Sequence, residues 1–348
     1  MPIKVLVVDD SAFMRKVISD VLNADSEITV VDTARNGKDA LEKLRLLTPD
    51  VITLDVEMPV MNGLDCLKSI MKSKPLPVIM LSSVTSEGAD ATIKALEWGA
   101  IDFITKPTNI FDIGKNELIQ EMIAKVKVAK NTVVTPYTHF YNYGNKSEVI
   151  HSRNLKKIVA IGTSTGGPRA LQQVIPLIPG DISAAFVIVQ HMPPGFTKSL
   201  ATRLNGMSEL TVKEAEDGDI VTAGCAYIAP GDYHMVFKRK DRGSTLTVKL
   251  DKNKAVSGHR PSVNVMMESL SNTGLKDIIG VMMTGMGADG CEGLKKLKLA
   301  NKASVIAQNE ESCVVYGMPK AVVQAGIADI IVPLNQISNN IVKMVEVS

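Results

Sequence analysis

The chain has 348 residues, of which 45% are hydrophobic and 22% are charged, with 25 Gly and 16 Pro. This composition is that of an ordinary globular protein, so it excludes collagen-like, disordered and disulfide-stapled chains, and the length suffices for about two domains with cores of their own. The formal net charge is only +2, and neither half of the chain has the basic excess of a nucleic-acid-binding domain.

The apolar segments and the amino terminus bear on cellular location. No apolar run reaches the roughly 18 residues that a transmembrane helix needs. Acidic residues at Asp9 and Asp10 stand where a signal peptide would keep its apolar stretch. We therefore expect a cytoplasmic protein without membrane insertion. The four cysteines form no CxxC pair, which predicts neither a disulfide framework nor a zinc cluster.

Short β-branched runs alternate with amphipathic stretches over residues 1–125. This alternation predicts five β/α repeats, and hence a doubly wound parallel sheet with helices on both faces. The predicted strands are Lys4–Val8, Thr29–Asp32, Val51–Leu54, Val78–Leu81 and Ile101–Ile104, and the clearest predicted helices are Ser11–Asn23, Lys38–Leu47 and Ala89–Trp98.

Polar side chains stand at the ends of these strands. Asp9 and Asp10 follow the first strand, and Asp55 ends the third. Because the carboxyl ends of neighbouring parallel strands meet at a topological switch point, the three carboxylates should converge, and a hard cation such as Mg²⁺ would neutralise them. Ser82 and Lys106 follow the fourth and fifth strands. Each acid alone is better explained as a helix cap or the start of a turn, but the five groups together describe a site for a phosphorylated aspartate.

With these five positions in order, residues 1–125 resemble the response-regulator receiver domain. The resemblance implies that Asp55 is the phosphoacceptor and that Asp9, Asp10 and Asp55 hold Mg²⁺. It implies further that Ser82 and Lys106 form the phospho-switch, and that the peptide bond before Pro107 is cis.

The alternating pattern fails in the next segment, which we assign as a linker over residues 126–153. It carries an aromatic cluster, although solvated linkers are usually poor in rings. We therefore expect the linker to pack against one or both domains. The rings belong to Tyr137, Phe140, Tyr141 and Tyr143.

Strand and helix signals resume in residues 154–348. They predict a second, Rossmann-like α/β domain with an antiparallel hairpin over Tyr233–Leu250 around Asp241-Arg242-Gly243. The predicted strands are Lys157–Ile161, Ala185–Gln190, Ile278–Met283, Ser304–Ala307 and Ile330–Val332.

The first strand of this domain leads into a glycine turn that holds Ser164 before a helix. The turn is either a nucleophile elbow or a phosphate cradle for a dinucleotide. A cradle needs an acidic residue at the end of the next strand, where this sequence has His191 instead. A serine nucleophile needs a base, and the base needs a carboxylate. Asp289, which follows the apolar strand at Ile278–Met283, is the best candidate for that carboxylate.

The order Ser, His, Asp along the chain is not that of the α/β-hydrolases. These segments resemble the catalytic domain of chemotaxis protein-glutamate methylesterases of the CheB type. The motifs that carry the resemblance are Gly162–Gly167, Gln190–Thr197, Ala229–Asp232, Gly258–Ser262, Met283–Gly290 and Gln308–Pro319.

The resemblance implies a serine hydrolase that removes methyl groups from glutamyl esters of methyl-accepting chemoreceptors and also deamidates glutamines. Ser164 would be the nucleophile, His191 the base and Asp289 its carboxylate, and the amides of Thr165 and Met286 are expected to form the oxyanion hole. Mg²⁺ would serve the receiver only, and hydrolysis would need no cofactor. The expected partners are chemoreceptors and a chemotaxis histidine kinase as phosphodonor; we expect no nucleic acid and a monomeric chain.

Several alternatives remain open from the sequence. His259 and Arg260 either line the pocket or form a structural turn before Pro261. A receiver-gated dinucleotide-binding reductase would explain the glycine turn but neither His191 nor Asp289. A DNA-binding response regulator lacks support, because the second domain shows no helix-turn-helix pattern. For the esterase, we expect the unphosphorylated receiver to cover the Ser164 cleft and phosphate on Asp55 to uncover it.

Overall fold

The computed structural model describes residues 1–106, 116–132, 134, 154–239 and 245–346. The chain divides into two compact units, Met1–Phe140 and Tyr141–Ser348. Within the described ranges, no helix combines the length and the hydropathy that crossing a bilayer requires.

The first unit contains a five-stranded parallel sheet. Its strands are β1 (Ile3–Val8), β2 (Ile28–Ala34), β3 (Val51–Asp55), β4 (Val78–Ser82) and β5 (Asp102–Thr105). They lie in the order β2-β1-β3-β4-β5, which is a doubly wound order with its switch point between β1 and β3. The predicted receiver fold is confirmed. Its helices are α1 (Ala12–Asn23), α2 (Gly37–Lys43), α3 (Gly63–Ser73), α4 (Ser86–Glu97) and α5 (Asn116–Lys130).

Local sequence accounts for where these elements begin. Every residue of β3 and β4 is buried, as expected for central parallel strands that are covered on both faces. Ser11 caps α1 by accepting a hydrogen bond from the Met14 amide.

Helix α5 runs to Lys130, so residues 126–130 of the predicted linker are helical. The aromatic cluster of the linker and Pro107 lie outside the described residues.

The second unit holds nine strands and six helices in the described residues. The strands are β6 (Lys157–Thr163), β7 (Ala184–Gln190), β8 (Thr211–Glu214), β9 (Cys225–Ile228), β10 (His234–Arg239), β11 (Leu246–Asp251), β12 (Ile278–Met282), β13 (Ser304–Gln308) and β14 (Ile330–Val332). The helices are α6 (Gly167–Val174), α7 (Phe196–Met207), α8 (Val263–Ser271), α9 (Cys291–Asn301), α10 (Met318–Gln324) and α11 (Leu334–Glu346).

Seven of these strands form a parallel sheet in the order β14-β13-β12-β6-β7-β9-β8, and β10 pairs with β11 as an antiparallel hairpin. The predicted Rossmann-like fold with its hairpin is confirmed, although the hairpin tip lies outside the described residues. The chain runs outward from β6 through β7 and returns to the other side of β6 at β12. The topological switch point therefore lies between β6 and β12, where the loops at their carboxyl ends diverge and leave a crevice.

Candidate active site

The first unit gathers three carboxylates at the carboxyl edge of its sheet. Asp9 follows β1, and Asp55 is the last residue of β3. Asp9, Asp10 and Asp55 each offer one carboxylate oxygen, and these oxygens lie within 4.8 Å of one another. Oxygen donors at this spacing, with one exposed acid among two buried ones, fit a Mg²⁺ ion that keeps several waters.

Lys106 joins this cluster from the end of β5. Its Nζ lies 2.7 Å from a carboxylate oxygen of Asp9 and 2.7 Å from one of Asp55. Burial raises the pKa of Asp55 to about 6, and the nearby Asp9 carboxylate adds to the rise, while Lys106 opposes it. Burial lowers the pKa of Lys106, but its hydrogen bonds to the two carboxylates outweigh burial and raise it. The ammonium therefore offsets part of the repulsion between the acids.

Ser82 ends β4 at the same edge, but its hydroxyl is engaged elsewhere. The Ser82 hydroxyl donates to the Gly88 carbonyl at 3.1 Å and lies 2.7 Å from the Thr92 Oγ1 that donates to it. Both partners belong to α4, and Ser82 is fully buried. The Ser82 hydroxyl would have to give up these hydrogen bonds to α4 before it could bind a group attached to Asp55.

In the second unit, the sheet register places Ser164 beside His191. Strands β6 and β7 pair in parallel with Thr163 opposite Gln190, so Ser164 and His191 are the next residues on adjacent strands. The His191 amide donates to the Thr163 carbonyl at 3.2 Å. Because neighbouring strands lie about 4.8 Å apart, the two backbones are held side by side.

The turn at Ser164 is tightly constrained by its neighbours. The Ser164 amide donates to the Thr284 carbonyl, and the Gly167 amide donates back to the Ser164 carbonyl. Gly166 has φ of 76°, a conformation that favours glycine. A Cβ on Gly285 would lie 2.9 Å from the Ser164 Cβ, so only glycine allows that loop to approach so closely. The Ser164 hydroxyl has no hydrogen-bond partner among the described residues.

His191 and Asp289 form a buried pair. The His191 Nε2 lies 2.8 Å from Asp289 Oδ2, with side-chain exposures of 7% and 1%. The remaining ring nitrogen, Nδ1, is buried and has no hydrogen-bond partner in the described structure. Since Nε2 is taken by the carboxylate, Nδ1 is the nitrogen left to receive a proton from a neighbouring hydroxyl.

Asp289 is fixed by the beginning of α8. Its Oδ1 accepts hydrogen bonds from the Ser262 hydroxyl at 2.9 Å and the Asn264 amide at 3.1 Å, and its Oδ2 accepts one from the Val263 amide at 2.7 Å. Burial acts to raise the pKa of Asp289, but hydrogen bonds from His191 and the two backbone amides prevail and lower it. The carboxylate is therefore held ionised at neutral pH.

The two amides predicted for an oxyanion hole lie in loops next to Ser164. Thr165 follows the serine directly and is buried, whereas Met286 follows Gly285 and is 40% exposed. The Met286 amide donates no hydrogen bond to the part of the chain that the structure describes. Their joint role stays a prediction, since it requires a bound oxyanion.

Comparison with known proteins adds independent findings. The CheB methylesterase family matches residues 159–341, and the response regulator receiver domain matches residues 5–117. The chain is 49% identical to the protein-glutamate methylesterase/protein-glutamine glutaminase of Geobacillus kaustophilus over 99% of both chains. It is 47% identical to the Bacillus subtilis protein of the same name, also over 99% of both. The chain belongs to the CheB methylesterase family.

The second unit is also similar to a solved structure. The crystal structure of the Thermotoga maritima CheB methylesterase catalytic domain shares 46% sequence identity with the chain and has a TM-score of 0.52. It matches 55% of this chain and 98% of that one. The fold predicted for the second unit is thus shared with a CheB catalytic domain.

The sequence leaves the role of His259 open, and the structure places this residue at the site. The His259 ring stacks on His191, with centroids 3.8 Å apart and an interplanar angle of 8°. Arg260 instead donates to Asp232 and to the carbonyls of Lys252 and Asn253. These hydrogen bonds hold the loop that carries His259 against its neighbouring loops.

The sequence assigned no role to two further residues of the site, Ser262 and Gln190, although both stand in the motifs given above. Ser262 carried a detectable signal, because a serine directly before an apolar helical run is a typical N-cap. Gln190 carried none, because a glutamine at a strand end has no characteristic spacing. Its side-chain amide donates to the carbonyls of both Ser164 and His191.

Proposed function

We propose that the protein is a serine hydrolase that removes the methyl group from glutamyl γ-methyl esters of chemoreceptors and deamidates glutamine side chains at related positions. The observation that carries the proposal is the buried His191–Asp289 pair. His191 is the neighbour of Ser164 on the adjacent strand, and its Nδ1 has no hydrogen-bond partner in the described structure. The names of the relatives at 47–49% identity support this substrate class. None of them points to the dinucleotide-binding alternative.

In the acylation step, the Ser164 hydroxyl oxygen attacks the γ-carbonyl carbon of the glutamyl ester, and its proton passes to His191 Nδ1. The carbonyl oxygen gains the negative charge, which the Thr165 and Met286 amides would stabilise. The tetrahedral adduct then collapses, and the bond to the methoxy oxygen breaks. His191 returns the proton, so methanol leaves; a glutamine substrate would release ammonia in the same way.

Deacylation repeats these steps with water. Water gives a proton to His191 and attacks the acyl carbon, and the ester bond to Ser164 breaks as the serine oxygen regains the proton. Asp289 stabilises the imidazolium in both halves while it stays ionised, because its hydrogen bonds favour the charged form. The stacked His259 keeps the plane of the base fixed while its charge changes.

The first unit supplies the regulation. We assign Asp55 as the phosphoacceptor, with Mg²⁺ held by Asp9, Asp10 and Asp55; when bound, the ion would neutralise charge on the transferred phosphoryl group. Lys106 already contacts Asp55 and would pair with the phosphoryl oxygens. Ser82 would exchange its hydrogen bonds with α4 for one to the phosphoryl group. We propose a chemotaxis histidine kinase as the phosphodonor and the cytoplasm as the location.

The proposal is tested by methanol release from membranes that contain methylated chemoreceptors. The wild-type chain is compared with and without a small-molecule acyl phosphate and Mg²⁺, beside Ser164→Ala and Asp55→Asn. We expect Ser164→Ala to release no methanol, and Asp55→Asn to keep basal activity but lose the response to the phosphodonor. Methanol release by Ser164→Ala at the wild-type rate would exclude the serine mechanism. An unchanged phosphodonor response in Asp55→Asn would exclude the regulatory assignment.

A further inference from the structure

Gln190 ends β7 with a side chain that is almost fully buried, at 2% exposure. Its Nε2 donates to the Ser164 carbonyl at 3.0 Å and to the His191 carbonyl at 3.1 Å. One amide group thus spans the backbones of the nucleophile and of the base. The pairing of β6 with β7 ends at Thr163 and Gln190, one residue before Ser164 and His191. The last backbone hydrogen bond between the two strands runs from the His191 amide to the Thr163 carbonyl.

The orientation of this amide follows from its partners. Two carbonyl oxygens face it, and carbonyl oxygens only accept hydrogen bonds, so the group between them has to be the NH₂ end. The Oε1 atom then points toward the start of α6, where a Cβ on Gly167 would lie 2.0 Å from it. The glycine at position 167 therefore leaves room for the Gln190 side chain.

We propose that Gln190 is a positioning residue of the hydrolase, a role that rests on the function proposed above. By tying the two carbonyls to one rigid planar group, it fixes the separation between the Ser164 turn and the His191 backbone beyond the end of the sheet. That separation sets how far the Ser164 hydroxyl has to reach to His191 Nδ1. Misplacement of reacting groups by about 1 Å can cost 10²-fold in rate.

The test uses Gln190→Met, which keeps the length of the side chain but removes both donors. Gln172→Met is the matched control, because Gln172 lies on α6, is 4% exposed, and has no hydrogen-bond partner for its amide in the described structure. Methanol release from methylated receptor membranes gives kcat and KM, and kcat is expressed per serine titrated with a fluorophosphonate. This normalisation removes any loss of folded enzyme.

We expect Gln190→Met to lower kcat per titrated serine by about 10- to 100-fold with KM within about twofold of wild type. Gln172→Met should leave both constants within about twofold of wild type. Gln190→Glu is the second variant in case the methionine variant folds poorly. It should lose at least as much kcat, since a carboxylate would repel both carbonyls.

Two results would overturn the assignment. One is an unchanged kcat per titrated serine in the Gln190 variants, even if their thermal stability falls, because that is what a purely structural residue gives. The other is an equal loss of kcat in Gln172→Met. A wild-type chain that neither reacts with the fluorophosphonate nor releases methanol would refute the hydrolase function itself, which separates the two failures.

Discussion

Four donors converge on Asp289: the His191 ring, the Ser262 hydroxyl, and the amides of Val263 and Asn264. Three of them belong to the beginning of α8, where the amides have no partner within the helix and favour a nearby negative charge. A carboxylate in this setting is both oriented and kept ionised, which is what a histidine base requires of its partner.

Replacing Asp289 by Asn should lower kcat by up to about 10⁴-fold while leaving the fold intact, because an amide can hold the wrong imidazole tautomer and cannot stabilise the imidazolium. Methanol release measures the loss, and far-UV circular dichroism checks the fold. An Asp289→Asn enzyme that works at the wild-type rate would remove the residue from the catalytic group.

Asp289 should also affect stability as a function of pH. Its folded pKa lies below the ordinary value of 3.8, so its stabilising contribution is complete above that value and is lost as the pH falls through the folded pKa. The difference in unfolding free energy between wild type and Asp289→Asn should therefore shrink as the pH falls below about 4. Urea unfolding followed by circular dichroism measures it; a difference that grows toward acid pH would contradict the assignment.

At the scale of elements, the turn between β6 and α6 is packed so closely that it depends on glycine. A Cβ on Gly167 would lie 2.0 Å from Gln190 Oε1 and 2.4 Å from Thr163 Oγ1. A Cβ on Gly166 would lie 2.5 Å from the Val314 side chain. The turn that carries Ser164 is therefore enclosed by side chains from the neighbouring strand and loop.

We expect Gly167→Ala to destabilise the second unit by about 1–3 kcal/mol, because the added methyl group overpacks a closed site. Gly206→Ala is the matched control, since Gly206 lies in α7 and a Cβ there would meet nothing within 4 Å. That change should stabilise by about 0.5–1 kcal/mol through helix propensity. Chemical unfolding compares the two, and equal effects would show that packing at the turn is unimportant.

At the scale of the whole molecule, one architecture serves two kinds of chemistry. Each unit has a parallel α/β sheet, and each places its candidate site residues at the carboxyl edge of the sheet beside the switch point. The switch point lies between β1 and β3 in the first unit and between β6 and β12 in the second. An acidic cluster suited to phosphoryl transfer and a site suited to acyl transfer thus share a single chain.

Deleting residues 1–150 tests how the units are coupled. If the unphosphorylated receiver inhibits the hydrolase, the remaining fragment should release methanol faster than the unphosphorylated full chain and should ignore the phosphodonor. A change of about 1.4 kcal/mol in the balance between inhibited and active states alters the active population by up to tenfold. A fragment no more active than the unphosphorylated chain would show that inhibition is absent.

The sequence alone determined the α/β class of both units and the strand ends that carry Asp9, Asp55, Ser164 and His191, although its predicted strands did not include β8 or β9. Short continuous apolar runs that alternate with amphipathic stretches suffice for that, because the carboxyl ends of parallel strands meet at one edge of the sheet whatever path the loops take. Only the tertiary structure decided that His191 presents Nε2 to Asp289, that His259 stacks on His191, and that Gln190 spans two carbonyls. These contacts depend on rotamers and loop paths between segments as far apart as the 98 residues from His191 to Asp289, which no local pattern encodes.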